Sequence, residues 1–378
     1  MGYLSKYFIF FSFLIILISI LKKTDILQHL FTIGQAAYYM KTSHDDYKIF
    51  PKVILKGNKL LPPLKKEIIT YDKEKYNFTK KYMETLMVMK NNKIIIEEYF
   101  NKNNKDSKFN LFSATKTIIS LGIGILEDRK LLNINDKVKK YLDWWSLEET
   151  TIKNVLEMSS GYGNPLINWY YDMGFDYFGY NLTSRCMSYR LNKIDKPGKY
   201  FRYSNLNSQI LSEIIKKVSK METYKFIEDN LYKYIAKNDG IWSMDRAGNI
   251  KAFCCLYLNT EDFLRFGKLI IDEGKVGDKI IISKDYLNRM WIPNSNILES
   301  KKNKQINNFY GLHTWILEYE GKKVKYFNGL QNQFNIIIDD WDLLITTFGS
   351  DPVPAERLDT EKIVKDIIND VKKILKLK

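Results

Sequence analysis

The apolar residues of this chain are distributed in three ways. Tyr7 to Leu21 (YFIFFSFLIILISIL) is almost continuously apolar, with Lys6 before it and Lys22-Lys23 after it. Such a run predicts a membrane anchor or a signal peptide. No small-x-small cleavage pattern follows it directly, so an uncleaved anchor over residues 1–23 is the expectation. Lysines on both flanks leave its orientation open. Residues 24–83 read as a tether. Ile26 to Tyr39 has the spacing of an amphipathic helix, and Phe50 to Lys66 carries Pro51, Pro62 and Pro63 among many lysines, which suits an extended surface segment. From Glu84 onward the pattern becomes that of a globular domain, 84–378.

Within that domain, short apolar stretches predict strands at both ends. Leu86–Met89 and Ile94–Ile96 are joined at Asn91-Asn92, a hairpin signal because Asn tolerates the positive φ of the turn. Tyr310–Tyr319, Lys322–Phe327, Phe334–Asp339 and Leu343–Phe348 read as successive antiparallel strands, the last pair turned by Asp340-Trp341-Asp342. Helical spacing lies between and after them. Thr115–Glu127 places Ile118, Leu121 and Ile125 on one face, with small Ser120, Gly122 and Gly124 allowing close packing. Gln209–Val218 and Glu361–Leu377 repeat the pattern. Strands at both ends with helices between them predict an α+β fold. Its expected form is one antiparallel sheet built from the N- and C-terminal strands, flanked by helices, with a mainly helical subdomain inserted.

Composition narrows the function. The 378 residues are 45% hydrophobic, enough for a large core and too apolar for disorder. The net charge of +15 is spread as lysines along the chain, without arginine-rich blocks or a nucleic-acid module, so no nucleic-acid partner is expected. Cys186, Cys254 and Cys255 form no C-x-x-C, and adjacent cysteines rarely bridge, so buried thiols are expected. His29, His44 and His313 form no cluster, and no Gly-x-Ser-x-Gly elbow exists. A metal site, a cofactor and a Ser-His-Asp triad therefore have no support in the sequence.

Chemistry is carried by Ser113 and Lys116, three apart at the start of a predicted helix and hence on one face. A serine hydroxyl needs a base to become a nucleophile, and a lysine of lowered pKa can be that base. The spacing alone is a weak signal, since Ser19 and Lys22 repeat it inside the apolar run. A second segment, Pro197 to Asn205, sets Tyr203 and Asn205 on a loop before a helix. A phenol near an ammonium would have its ionised form favoured and could relay a proton, while the Asn205 amide can both donate and accept. A third, Phe327 to Gln333, places Gly329 at a strand start, where a substrate can approach the backbone and N–H groups can join that of Ser113 in an oxyanion hole.

In this order the three segments resemble the serine beta-lactamase-related superfamily, which includes class C beta-lactamases, D-alanyl-D-alanine carboxypeptidases, esterases and nylon-oligomer hydrolases. The resemblance runs from about Glu84 to the C-terminus and extends to Ile152–Gly161 and Asn259–Leu269. Ser243 to Gly248 and a G-x-x-x-Q ending at Gln333 are most similar to the nylon-oligomer hydrolase and esterase branch. It implies Ser113 as acylated nucleophile, Lys116 as base, Tyr203 as proton relay and Asn205 as a pocket residue. It also implies Gly329, Leu330 and Gln333 at the substrate site, with the Ser113 and Leu330 N–H groups as the oxyanion hole. One departure matters: Phe327-Asn328-Gly329 has no cation where relatives that bind carboxylates carry Lys or His. The expectation is a membrane-tethered, extracytoplasmic (periplasmic) serine hydrolase acting on a small neutral or cationic acyl ester or amide, or a secreted one if the apolar run is cleaved. The alternatives are a beta-lactamase, a D-alanyl-D-alanine peptidase, or a non-catalytic cell-envelope binding protein. The aromatic stretch Tyr162–Tyr180 is read as an apolar pocket lid or, equally, as an ordinary packed insertion.

Overall fold

The computed structural model describes residues 42–76, 82–163, 176–189, 193–350 and 359–377. The expected anchor over Tyr7–Leu21 and the helix over Ile26–Tyr39 lie outside these residues. Among the described residues no helix is long and apolar enough to cross a membrane, so membrane attachment finds no support there.

Among the described residues twelve strands make up the sheets: β1 (Lys52–Leu55), β2 (Met83–Lys90), β3 (Lys93–Tyr99), β4 (Phe109–Asn110), β5 (Gly240–Ser243), β6 (Leu256–Leu258), β7 (Lys275–Val276), β8 (Lys279–Ile280), β9 (Trp315–Tyr319), β10 (Lys322–Gly329), β11 (Gln333–Ile338) and β12 (Leu343–Gly349). The main sheet has the order β3-β2-β12-β11-β10-β9, antiparallel throughout. The last strand of the chain thus sits beside the first hairpin, as the pattern predicts. Asn91 and Asn92 turn that hairpin at φ +47 and +59. Alternation along β2 sends Leu86 and Val88 to one face and Met87 and Met89 to the other, and both faces are buried. The C-terminal helix covers the first face with Val364, Ile367, Ile368 and Val371.

The helices that position the site are α1 (Thr115–Asp128), α2 (Asn205–Ser219), α3 (Thr260–Ile271) and α4 (Thr360–Leu375). α1 is buried on all sides from Thr115 to Leu126, not on one apolar face alone. Its small residues explain how: α2 and its neighbours pack directly over them, and a Cβ at Gly122 would meet Ile227 at 2.7 Å. A helix that is central to the core loses the polar stripe of an amphipathic one.

Three expectations change. Residues 42–76 are not a free tether. β1 adds to a second, four-stranded sheet of order β1-β5-β6-β4, and the backbone at Lys65, Glu67 and Ile69 bonds along the outer edge of β3. That contact shields an otherwise open edge. The strand expected from Tyr310 begins only at Trp315, because Gly311–Thr314 is a tight turn with His313 at φ +58. Cys254 and Cys255 are joined as a vicinal disulfide, with Cys255 at φ +70, and Cys186 is a buried thiol outside any disulfide. Of the expected lid, 164–175 lies outside the described residues, while Tyr177 and Phe178 are buried with Phe50, Phe253 and the disulfide.

α3 lies close on the main sheet at Gly267, where a Cβ would stand 2.5 Å from Leu344 and 2.8 Å from the Asn335 amide. Asn335 cannot swing away, since it donates to the Phe263 carbonyl and accepts from Thr346. Gly267→Ala is therefore expected to destabilise the fold by roughly 1–3 kcal/mol, the range for overpacking. Urea unfolding should show a lower midpoint with an unchanged slope.

Candidate active site

The nucleophile candidate stands on a constrained turn. Ser113 is the middle residue of a 3₁₀ turn, Phe112–Ala114, that leads directly into α1. Phe112 before it has φ +44, a region that a bulky side chain seldom occupies. The buried Asn110 side chain holds this conformation. Its Oδ1 accepts from the Phe112 N–H at 2.9 Å and from the Cys255 N–H at 3.1 Å, and its Nδ2 donates to Tyr257. His44 secures the same strand, its Nδ1 accepting the Asn110 N–H at 3.0 Å while Nε2–H donates to the Gly349 carbonyl. Both bonds require the neutral ring, and burial lowers its pKa.

Lys116 lies one turn into the fold, 1% exposed. Its Nζ is 3.0 Å from Ser113 Oγ, 2.9 Å from Asn205 Oδ1 and 2.9 Å from the Phe253 carbonyl. Two of these partners can only accept. An uncharged amine gives its two N–H groups to them and keeps its lone pair for the Ser113 O–H. Burial drives Lys116 down to about 7, opposed by the Asp176 carboxylate. A lysine at that value is half deprotonated near neutral pH and can act as a general base. Lys251 is equally buried, and its pKa is lowered for the same reason, but its ammonium donates to the Tyr177 carbonyl and lies over the Phe50 ring.

Tyr203 sits on the loop ahead of α2, its hydroxyl hydrogen-bonded to Ser113 and its ring 4.9 Å from Lys116 Nζ. The expected phenolate is corrected here. Burial raises the Tyr203 pKa, and the bond to Ser113 only partly offsets it. Tyr203 is thus a neutral hydroxyl that can pass a proton. Asn205 opens α2 behind the Ser204 cap and is 3% exposed. Its carbonyl oxygen is used to hold Lys116.

The third segment arrives as the β10–β11 hairpin. Gly329 pairs with Gln333 across Leu330, Gln331 and Asn332, the last two at φ +63 and +65. A Cβ on Gly329 would lie 2.2 Å from the Leu111 carbonyl, so only glycine lets this backbone reach the nucleophile's turn. Leu330 follows it, half-buried. Gln333 is placed differently from the expectation. It is fully buried, and its amide is consumed by backbone: Nε2 donates to Gln331 and Gly349 carbonyls, and Oε1 accepts the Gly349 N–H. It pins the hairpin to the end of β12 and has no group left for substrate.

Sequence reading missed Asn110, His44, Asp176 and the Phe253 carbonyl. A backbone acceptor carries no residue signature, and Asn110 is one of many asparagines. His313 is buried and bonded to Leu156 O and Ser208 Oγ, not to Ser113. No group of three or more His, Cys, Asp or Glu side chains among the described residues could hold a metal.

Residues 77–239 match the Beta-lactamase family model. The match covers less than half of the chain, and together with the fold it is consistent with the serine beta-lactamase superfamily. A Bacillus anthracis protein assigned as a 6-aminohexanoate-dimer hydrolase superposes with a TM-score of 0.75 at 16% identity, covering 88% of this chain and 94% of that one. A D-stereospecific amidohydrolase from Streptomyces superposes at 0.56 and 15% identity, over 76% and 97% of the two chains. In sequence, a penicillin-binding protein of Bacillus subtilis is 27% identical over 137 residues, 35% of this chain and 30% of that protein. The chain thus spans about a third of the length of the curated relatives it matches. The Ser113, Lys116 and Tyr203 cluster occupies the junction of the main sheet and the helical part, where α1, α2 and the β10–β11 hairpin meet.

Two outcomes follow from this geometry. Acylation should rise with pH as Lys116 loses its proton, through a midpoint near 7, and level off above it; stopped-flow acylation rates across pH 5–9, as an assay range of about four units, would check the sign. Asn110→Ala removes the shared acceptor of two buried N–H groups, each costing about 1–3 kcal/mol when orphaned. Its kcat should fall while KM and the midpoint near 7 stay in place, because Asn110 aims Ser113 without touching substrate or Lys116.

Proposed function

We propose that this protein is a serine hydrolase that works through an acyl-enzyme on Ser113. The observation that carries the reading is the bonding of Lys116, a buried lysine lowered to about 7 with two pure acceptors on one side and the Ser113 hydroxyl on the other. Lys116 takes the Ser113 proton as Oγ bonds to the substrate carbonyl carbon. The charge that develops on the carbonyl oxygen faces the N–H groups of Ser113 and Leu330, and such donors are worth roughly 3 kcal/mol each in other acyl-transfer sites. The leaving group departs with a proton delivered through the neutral Tyr203 hydroxyl, which is bonded to Ser113. Water then attacks the ester on Ser113 by the same route in reverse.

The substrate class follows from charge. The Phe327-Asn328-Gly329 end of β10 brings no cationic side chain to the hairpin, so a substrate carboxylate gains no charge pairing there. We read the substrate as a small ester or amide with a neutral or cationic acyl group, in keeping with the hydrolases among the structural neighbours.

A fluorophosphonate probe should label the wild-type chain and leave Ser113→Ala unlabelled; equal labelling of both removes Ser113 from the reaction. Lys116→Ala and Tyr203→Phe should each slow ester turnover by about 10²–10⁴-fold, the usual loss of a base or a relay. Turnover of a cephalosporin with no activity on p-nitrophenyl esters would overturn the substrate class.

A further inference from the structure

Tyr203 backs onto a second recess. Its ring lies 5.7 Å from that of Trp315, the first residue of β9. Trp315 is also a wall of a cavity of about 310 Å³. Phe309 and Tyr326 flank it there, with centroids 6.2 and 6.4 Å from the Trp315 ring and planes within 26° and 32° of it. Glu299 and Glu361 are the charged residues among the described residues that line it, in a protein of net charge +15. Glu361 also pairs with Lys365 one turn along α4. Tyr326 is 3% exposed, so its ring forms a fixed wall of the cavity. The first residues of α4 reach the same cavity, but the Asp359 side chain caps that helix end by accepting from Lys362 N. Three ring faces and two carboxylates favour a cation: ammonium groups are held over aromatic faces, and more tightly when desolvated.

We propose that this cavity is a subsite for an ammonium-bearing leaving group. The inference rests on the acyl-enzyme reading above. Tyr203 delivers the proton to the leaving group, so the leaving group lies on the Tyr203 side of Ser113, and Trp315 continues that wall into the cavity. The ammonium sits among Phe309, Trp315 and Tyr326 with Glu299 and Glu361 beside it.

Acetylcholine and 3,3-dimethylbutyl acetate have one shape and differ by one charge. The full chain should hydrolyse the choline ester with about tenfold higher kcat/KM, expressed in KM. In Glu299→Gln/Glu361→Gln and in Trp315→Leu the ratio should fall toward one. A wild-type ratio of one, with both esters turned over and Ser113→Ala inactive, overturns the subsite and leaves the hydrolase reading intact. If neither those esters nor p-nitrophenyl acetate is hydrolysed, the hydrolase reading fails, and calorimetric titration of Ser113→Ala with butyltrimethylammonium decides the subsite. Saturable binding lost in Glu299→Gln/Glu361→Gln supports it; absence of saturation overturns it.

Discussion

The removal of Lys116 from water is the constraint on which the site depends. An exposed lysine stays charged at neutral pH and cannot accept a proton from serine. Lys116 reaches a value near 7 because α1 is buried on all sides and carries it into the core on its first turn. Desolvation alone would leave its nitrogen without partners, which is costly. Asn205 and the Phe253 carbonyl meet that need while leaving one direction open, toward Ser113. The same burial that lowers the lysine raises Tyr203, so once Lys116 has lost its proton, above about pH 7, the two groups stand neutral side by side. An amine that accepts and a phenol that donates is the arrangement a proton route needs.

Backbone positions complete the site, and they are held by side chains that never face a substrate. Asn110 ties the left-handed Phe112 to the strand carrying Cys255, and His44 ties Asn110 to the end of β12. Gln333 ties the tip of the β10–β11 hairpin to the same Gly349. The N–H of Ser113 and the N–H of Leu330 thus belong to two loops anchored at one point of the main sheet. The vicinal disulfide follows Phe253, whose carbonyl holds the lysine, and the Cys255 N–H donates to Asn110.

Much of this was legible in the residues. Local features carried over well: the Asn91-Asn92 hairpin, the helix after Ser113, the run of four C-terminal strands and the closing helix depend on neighbours a few positions away. So does the Ser113 to Lys116 spacing, because one helical turn brings them together in any context. The failures share a different cause. Gln333 was placed at the substrate site by the resemblance its G-x-x-x-Q motif carries, but its orientation is set by Gly349 in another strand. The adjacent cysteines, the strand at Lys52–Leu55 and the all-round burial of α1 likewise depend on partners far along the chain.

By itself, then, the sequence determined which candidate groups come together at the start of α1 and the order in which the elements arise, because periodicity and i,i+3 spacing are local properties. Tertiary structure alone decided the protonation states. Whether Lys116 is an ammonium or a base, and whether Tyr203 is a phenolate or a phenol, depends on how much water the assembled core excludes and which distant acceptors it supplies. Solvation is a property of the packed molecule, and no pattern of neighbours along the chain encodes it.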